Sequence, residues 1–348
     1  MKAISDNTGM DIGFSLRRRT VLAGWALSVV MLGHAPAASL RPVGEAAAAT
    51  GSNLGPLIEA SALRPWLGRV RILDIREPDD EAPADAARWL AGAVSAPYSR
   101  WRGPLGEERP LPELTAWVRS LGLDAQTPVV IVGDGEEASD FGAAARVYWT
   151  LRWLGLRRLA ILNGGAPAWI DAGLPLARQP ATVTPSTYTP RLDASVRASL
   201  EEVRARLGDP QTLLLDARPA PFYRGAIKAP AARRPGTLPG AQSFDHAQWF
   251  PDGSARLPDA ATLARIAAQG PWQARAGAAP TRMVSFCNTG HWAAINWFVL
   301  SEVLGQSGVQ LYPGSMVEWS RAGLPMDHVP GRAEQLWAQL RTLWRSTP

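Results

Sequence analysis

Along the chain, short uninterrupted apolar runs alternate with longer stretches in which apolar residues return at helical spacing. Val129–Val132 is continuous, Phe141–Leu154 repeats with the period of a helix, and Leu159–Leu162 is continuous again. Farther on, Met283–Phe286 predicts a buried strand and Ala293–Leu304 a helix. A strand with one wet face would alternate polar and apolar residues. Runs that are apolar throughout therefore predict strands covered on both faces, an α/β fold of mostly parallel sheets flanked by helices. In such sheets function gathers in loops at the carboxyl ends of the strands. Near the end of the chain, Leu336, Leu340 and Leu343 share one helical face with Trp337 and Trp344 beside it. This predicts a docking helix within 329–348, with membrane contact as the alternative.

The pattern occurs twice. The first copy runs from Arg71-Ile-Leu-Asp74-Ile-Arg76, through Leu90-Ala-Gly92-Ala93 and Val129-Val-Ile-Val-Gly-Asp134, to Ala168-Trp169-Ile-Asp-Ala-Gly173-Leu-Pro175. The second runs from Leu213-Leu-Leu-Asp216-Ala-Arg218, through Leu238-Pro-Gly240-Ala241 and Met283-Val-Ser-Phe-Cys287, to Glu318-Trp319-Ser-Arg-Ala-Gly323-Leu-Pro325. Four landmarks in the same order, offset by about 150 residues, mark a duplicated domain. Between the copies, Pro180, Pro185 and Pro190 stand among Thr and Ser, a composition that suits an extended linker. A length of 348 residues accommodates two cores. The predicted organisation is a targeting segment over 1–37, a flexible Ala/Gly/Ser-rich leader over 38–54, a first domain over 55–180, a linker over 181–196, a second domain over 197–328 and the terminal helix.

Apolar residues make up 46% of the chain and charged residues 19%, the balance of a water-soluble globular protein. The net charge of +5 and the pI near 9.8 would suit a polyanionic partner. The cations, however, are almost all Arg and are scattered without a long basic run, which argues against a nucleic-acid footprint. Part of the excess belongs to targeting: Arg17-Arg18-Arg19-Thr20-Val21-Leu22 leads into an apolar run from Val21 to Leu32 and then to Ala35-Pro36-Ala37. That is a signal-peptide pattern, too short to span a bilayer unaided, and its arginine pair resembles a twin-arginine export signal. The expected location is the periplasm after cleavage, with an uncleaved N-terminal anchor as the alternative. Loss of 1–37 lowers the net charge to about +3.

A single cysteine, Cys287, cannot close a disulfide within the chain even in an oxidising compartment. Taken alone, such a thiol is as compatible with a small buried hydrophobe as with chemistry, but its neighbours favour chemistry. Cys287-Asn288-Thr289-Gly290-His291-Trp292-Ala293 joins the predicted strand to the predicted helix. Backbone N–H groups at such a turn converge on one point, and the helix N-terminus adds partial positive charge. A sulfur placed there would ionise more readily, and the same donors would hold a persulfide anion. Phosphoryl transfer by a cysteine phosphatase is the competing chemistry, but it requires an Arg six residues on for bidentate contact with the phosphoryl oxygens. Six on from Cys287 is Ala293. His34, His246, His291 and His328 have no metal-site spacing, so neither a metal nor an organic cofactor is expected. His291 would be a general base only if the thiolate needed one, and Trp292 is expected to wall the pocket or pack on the helix.

Asp-x-Arg after the first strand of each half, Leu-Pro-Gly-Ala at 238–241, the Cys loop leading into a helix and the closing Gly314-Ser315-x-x-x-Trp319 together resemble the tandem rhodanese family over roughly residues 55–328. The resemblance implies two rhodanese-like domains with Cys287, in the second, as the catalytic nucleophile. It would take a sulfane sulfur from a donor such as thiosulfate, carry it as a persulfide held by the loop backbone of Asn288 to Ala293, and pass it to a thiophilic acceptor. The first domain would be a degenerate copy, because Asp134 stands at the position of the cysteine and a carboxylate cannot carry a sulfane sulfur. Its loop, Asp134-Gly135-Glu136-Glu137, would also repel anionic donors.

Family members that favour thiosulfate often have a basic residue at the loop position held here by neutral Asn288. Charge for an anionic donor would therefore come from Arg218 or Arg224, with Asp216 fixing the loop, or from Lys228, Arg233 and Arg234 in the insertion Ala226–Pro235. Because Asp74 and Arg76 persist in the degenerate half, a purely structural ion pair is the alternative for Asp216 and Arg218. The partners implied are a small sulfur-containing anion and a thiophilic acceptor. A second function from a different class is a sulfur-binding module that delivers its cargo to a membrane transporter or redox partner.

Overall fold

The computed structural model describes residues 54–78, 88–273 and 280–331. The targeting segment, all but the last residue of the leader, and the helix expected over 334–344 lie outside the described residues. Among the described residues, no helix is long and apolar enough to cross a membrane.

The first half contains β1 (Leu57–Ile58), α1 (Ala60–Leu63), β2 (Arg71–Asp74), β3 (Trp89–Leu90), β4 (Ala93–Ser95), α2 (Leu111–Ser120), β5 (Val129–Val132), α3 (Ala138–Trp153), β6 (Leu159–Leu162), α4 (Gly165–Asp171) and β7 (Leu176–Ala177). Five of its strands form a parallel sheet in the order β1-β6-β5-β2-β4, while β3 and β7 make a small antiparallel pair. The second half contains α5 (Leu200–Ala205), β8 (Thr212–Asp216), α6 (Ala220–Tyr223), β9 (Gln242–Ser243), α7 (Ala260–Ala267), β10 (Arg282–Phe286), α8 (His291–Trp297), β11 (Val309–Leu311) and α9 (Ser315–Arg321). Its parallel sheet has the order β11-β10-β8-β9, the counterpart of β6-β5-β2-β4, and a parallel bridge between Arg197 and Leu311 stands where the first half has β1.

All four residues of β5 are fully buried, as strands between two helical layers must be. The expected helix boundaries shift for identifiable reasons. Helix α3 begins at Ala138 rather than Phe141 because Glu137 and Asp140 form a reciprocal capping box ahead of the apolar face. Helix α8 begins at His291 rather than Ala293, directly after Gly290 adopts a left-handed conformation (φ 76°), and passes into π-helical turns over Phe298–Val303.

The proline-rich connection is extended and bonded along its length to the first half. Ala181 N–H donates to Ala93 O, Ser186 N–H to Arg119 O, and Tyr188 Oη to Leu154 O (2.8 Å). One apolar core runs through both halves, with Phe141 and Tyr148 of α3 against Phe298 and Trp297 of the second half at ring separations of 5.0–6.2 Å. Separate clusters fill the outer face of each sheet. The close packing of α3 on α8 brings the loop that precedes α8 against residues of the first half.

Candidate active site

Strand β10 ends at Phe286, and Cys287 follows it at 1% exposure. Three groups hold the loop in place. Cys287 N–H donates to Ser315 Oγ (3.0 Å), Met316 N–H donates to Cys287 O (3.1 Å), and Val317 N–H donates to Asn288 O (3.0 Å). Ser315 in turn donates its hydroxyl to Tyr312 O (2.8 Å) and has φ 50°, a left-handed conformation rare for a residue with a side chain. The backbone N–H groups of Asn288, Thr289 and Gly290 donate to no acceptor among the described residues. They precede the N-terminus of α8, so donors and helix dipole act at the cysteine end of the loop. Gly290 is required here. Its φ is positive, and a Cβ would strike Arg146 and approach Pro313 O to 2.8 Å.

Asp216 is the last residue of β8 and lies in register with Phe286. It accepts from Arg218 Nε (2.8 Å), Arg218 Nη2 (2.6 Å) and Thr237 Oγ1 (2.7 Å), and both members of the pair are buried. Arg218 also donates to Gly236 O (2.8 Å) and Asn288 Oδ1 (3.4 Å). The expectation that Arg218 orients a donor's oxygens is therefore corrected. Its guanidinium is consumed by Asp216 and by the loop, and it positions Asn288. Arg76 makes the same bidentate contact with Asp74 in the first half.

Arg224 is exposed at the end of α6. Lys228 is exposed and turns its ammonium back onto Ala232 O (2.9 Å) of its own loop, the geometry of a solvated insertion rather than an anion clamp. Arg234 of that insertion is likewise turned to structure, donating to Leu324 O (3.0 Å), while Arg233 is exposed.

His291 is not a base for the thiol. Its Nε2 lies 2.9 Å from Ser139 O, which only accepts, so Nε2 carries the proton and Nδ1 accepts from Tyr98 Oη (2.8 Å). Burial, with Arg102 nearby, pushes its pKa down to about 3, so the ring stays neutral. Trp292 stacks on His246 (4.8 Å between centroids), meets Phe222 edge-on and donates to Ser139 Oγ (2.9 Å). Thr289 Oγ1 accepts from Arg102 Nη2 (2.7 Å), and Arg102 Nη1 donates to Tyr98 Oη (2.6 Å). Among the described residues, no group of three or more His, Cys, Asp or Glu is placed to hold a metal ion.

Sequence reading missed Tyr98, Arg102, Arg146 and Ser315. Ser315 lay inside the quoted Gly-Ser motif without a role attached. Arg146 was marked only by being a charge in the middle of the apolar run Phe141–Leu151. Tyr98 and Arg102 carried no local signal, since they meet the loop only through the packing of one half on the other.

Comparison with known proteins gives this geometry a lineage. A model of the rhodanese-like domain matches residues 199–322. The chain is 34% identical over 230 residues to a probable 3-mercaptopyruvate sulfurtransferase of Pseudomonas aeruginosa, covering 65% of this chain and 76% of that one. It is 26% identical over 276 residues to the sulfur carrier protein TtuD of Thermus thermophilus, covering 74% and 90%. The fold resembles that of 3-mercaptopyruvate sulfurtransferase from Leishmania major, with a TM-score of 0.60 and 23% identity over 77% of this chain and 75% of that one. With its paired parallel sheets and its cysteine at the end of the central strand of the second, the chain belongs to the rhodanese family of sulfurtransferases.

Proposed function

We propose that this sulfurtransferase moves a sulfane sulfur in two steps through Cys287. The Cys287 thiolate attacks the outer sulfur of the donor and a new S–S bond forms. With thiosulfate, the original S–S bond breaks and sulfite leaves with the electron pair, so charge balances as thiolate plus dianion becomes persulfide anion plus sulfite dianion. An acceptor thiolate then attacks the outer sulfur of the persulfide, takes it as its own persulfide and returns Cys287 to the thiolate. The observation that carries this reading is the set of unbonded N–H groups at Asn288, Thr289 and Gly290 ahead of α8, next to Cys287. Donors fixed before the reaction stabilise an anion without reorganisation. A cysteine phosphatase is disfavoured because Ala293, buried on α8, offers no guanidinium.

With mercaptopyruvate the C–S bond breaks instead, and pyruvate leaves as its enolate with the electron pair and takes a proton. The neutral Asn288 and the occupied Arg218 offer no loop cation to the anionic end of either donor. The test is the intact mass of the chain after incubation with thiosulfate or mercaptopyruvate. A gain of one sulfur atom, absent in C287S, is expected, and no gain with either donor would overturn the proposal.

A delivery role, in which a loaded Cys287 hands sulfur to a protein such as a membrane transporter or redox partner, is favoured by the likeness to a protein named as a sulfur carrier. Stoichiometric loading combined with slow turnover to small thiols would distinguish it. The arginine pair at 17–18 and the apolar run after it support export to the periplasm by a twin-arginine route. Fractionation of cells and N-terminal sequencing of the mature chain test that assignment.

A further inference from the structure

Arg146 belongs to the half without a cysteine, yet it ends at the cysteine loop. It projects from the middle of α3 and is 1% exposed. Its Nη1 makes one long hydrogen bond to Gly290 O (3.4 Å), and its guanidinium lies over the Trp149 ring (4.8 Å). Its Nε is buried without a hydrogen-bond partner. Among the described residues no carboxylate bonds to it. Glu108, the acid that most favours its charge, is already held by Arg197 at 3.3 and 2.8 Å. A buried guanidinium served so poorly is costly unless an anion faces it.

The groups around it do not supply one. The turn at 98–101 contributes Tyr98, a phenol whose ionisation burial pushes up. The segment after it contributes Arg102, of like charge, and α8 contributes the neutral His291. The group that remains is Cys287, at the start of the loop whose Gly290 O Arg146 holds, where an anionic sulfur would favour the guanidinium's charge. A second route runs through the loop backbone. In a trans peptide the C=O and N–H point in opposite directions, so an Arg146 that holds Gly290 O on one side turns the N–H of His291, the first of α8, to the other.

We propose that Arg146 of the first domain is the counter-charge for the anionic sulfur on Cys287, thiolate or persulfide, acting directly through space and by orienting the Gly290–His291 peptide. It touches neither donor nor acceptor and is a positioning residue. This deepens the transfer reading and rests on it for the persulfide, but not for the thiolate.

The test is the rate of Cys287 alkylation by iodoacetamide, a neutral reagent, followed against pH in the native chain and in R146Q and R146K, each checked for a native melting transition. R146Q is expected to shift the profile upward by about one pH unit and to slow alkylation about tenfold at neutral pH, whereas R146K, which keeps the charge, stays within about threefold of native. A folded R146Q with the native profile would overturn the proposal. If R146Q does not fold, C287D against C287N decides. A carboxylate facing an unpaired guanidinium should melt above the amide, and a C287D that melts at or below C287N would also overturn it. Loading of the native chain with sulfur is measured in parallel. Its failure would sink the transfer reading alone, since alkylation needs no sulfur donor.

Discussion

Gly133 and Cys287 occupy the same place in two copies of one fold. Each follows the strand residue paired with the Asp of Asp-x-Arg, and each carbonyl accepts from the second residue of its half's last helix, Ala166 or Met316. Asp134, expected at the cysteine's position, therefore lies one residue beyond it. Among what differs around them, the third residue of the helix that follows decides what fills the turn. Six residues after Asp134 comes Asp140, whose carboxylate accepts from the backbone N–H groups of Glu136 (2.9 Å) and Glu137 (3.0 Å). Six residues after Cys287 comes Ala293, and the corresponding loop donors remain unbonded. The first loop therefore carries its own anion and the second keeps its donors for an external one. Burial together with Asp140 raises the pKa of Asp134 above the usual carboxylate range, as expected where carboxylates crowd one turn. The degeneracy of the first domain is more than the loss of a thiol, because its cradle is filled. What that domain retains is a structural part in the other site through Tyr98, Arg102, Ser139 and Arg146.

The comparison can be broken most severely by filling the second cradle. A293D places a carboxylate where the first half has Asp140. It is expected to reduce the rate of sulfur loading by about 100-fold or more, the scale of losing anion-stabilising donors, read by intact mass against time in a chain whose melting transition is retained.

The reverse exchange is the next in size. G133C alone should load no additional sulfur because Asp140 still occupies the donors, whereas G133C with D140A should load a second sulfur in a chain that keeps Cys287. The double variant is also expected to lose about 1 kcal/mol from the removed helix cap. A second sulfur on G133C alone would show that the plug is not what silences this loop.

Acid should weaken the contact between the halves through His291. Its folded pKa, near 3, lies below the unfolded value. Its contribution is therefore fully present above about pH 6.5 and is lost as pH falls toward 3, at up to about 1.4 kcal/mol per pH unit. Denaturant titrations from pH 7 to 4 should show that slope in the native chain and a shallower one in H291N, and equal slopes would remove His291 as its source.

The smallest effect concerns the residue that differs at the start of the last helix of each half. Gly165, φ 59°, stands where the second half has the strained Ser315. S315G relieves the strain but leaves the buried N–H of Cys287 without its acceptor, for a net loss of about 1 kcal/mol, measured by chemical denaturation. A variant as stable as the native chain would show that the serine hydroxyl adds nothing to the loop.

Much of the fold was legible because the information is local. A four-residue apolar run such as Val129–Val132 can only be a strand covered on both faces, and an insertion-tolerant repeat of Asp-x-Arg, strand, loop and helix declares two copies of one sheet. Cys287 and the turn before α8 were legible for the same reason, since a cysteine, a glycine in the left-handed region and a helix start follow one another within five residues. The boundaries of α3 and α8 were missed by two or three residues. A capping box outside the apolar run set one, and a glycine turn set the other. Arg218 was misread because its residue type suits an anion clamp, and only the geometry shows its guanidinium spent on Asp216.

The sequence by itself determined the class of fold, the duplication, the lone cysteine of the second copy and its absence from the first. The tertiary structure alone decided which cations and hydroxyls meet the cysteine loop. Arg146, Arg102 and Tyr98 lie 141 to 189 residues from Cys287 in the chain, and they reach its surroundings because α3 packs on α8 through a shared core. Hydrophobic burial brings those helices together without regard to the polar groups they carry. The pairing of a charge in one half with a sulfur in the other is therefore written in the packing and not in any stretch of sequence.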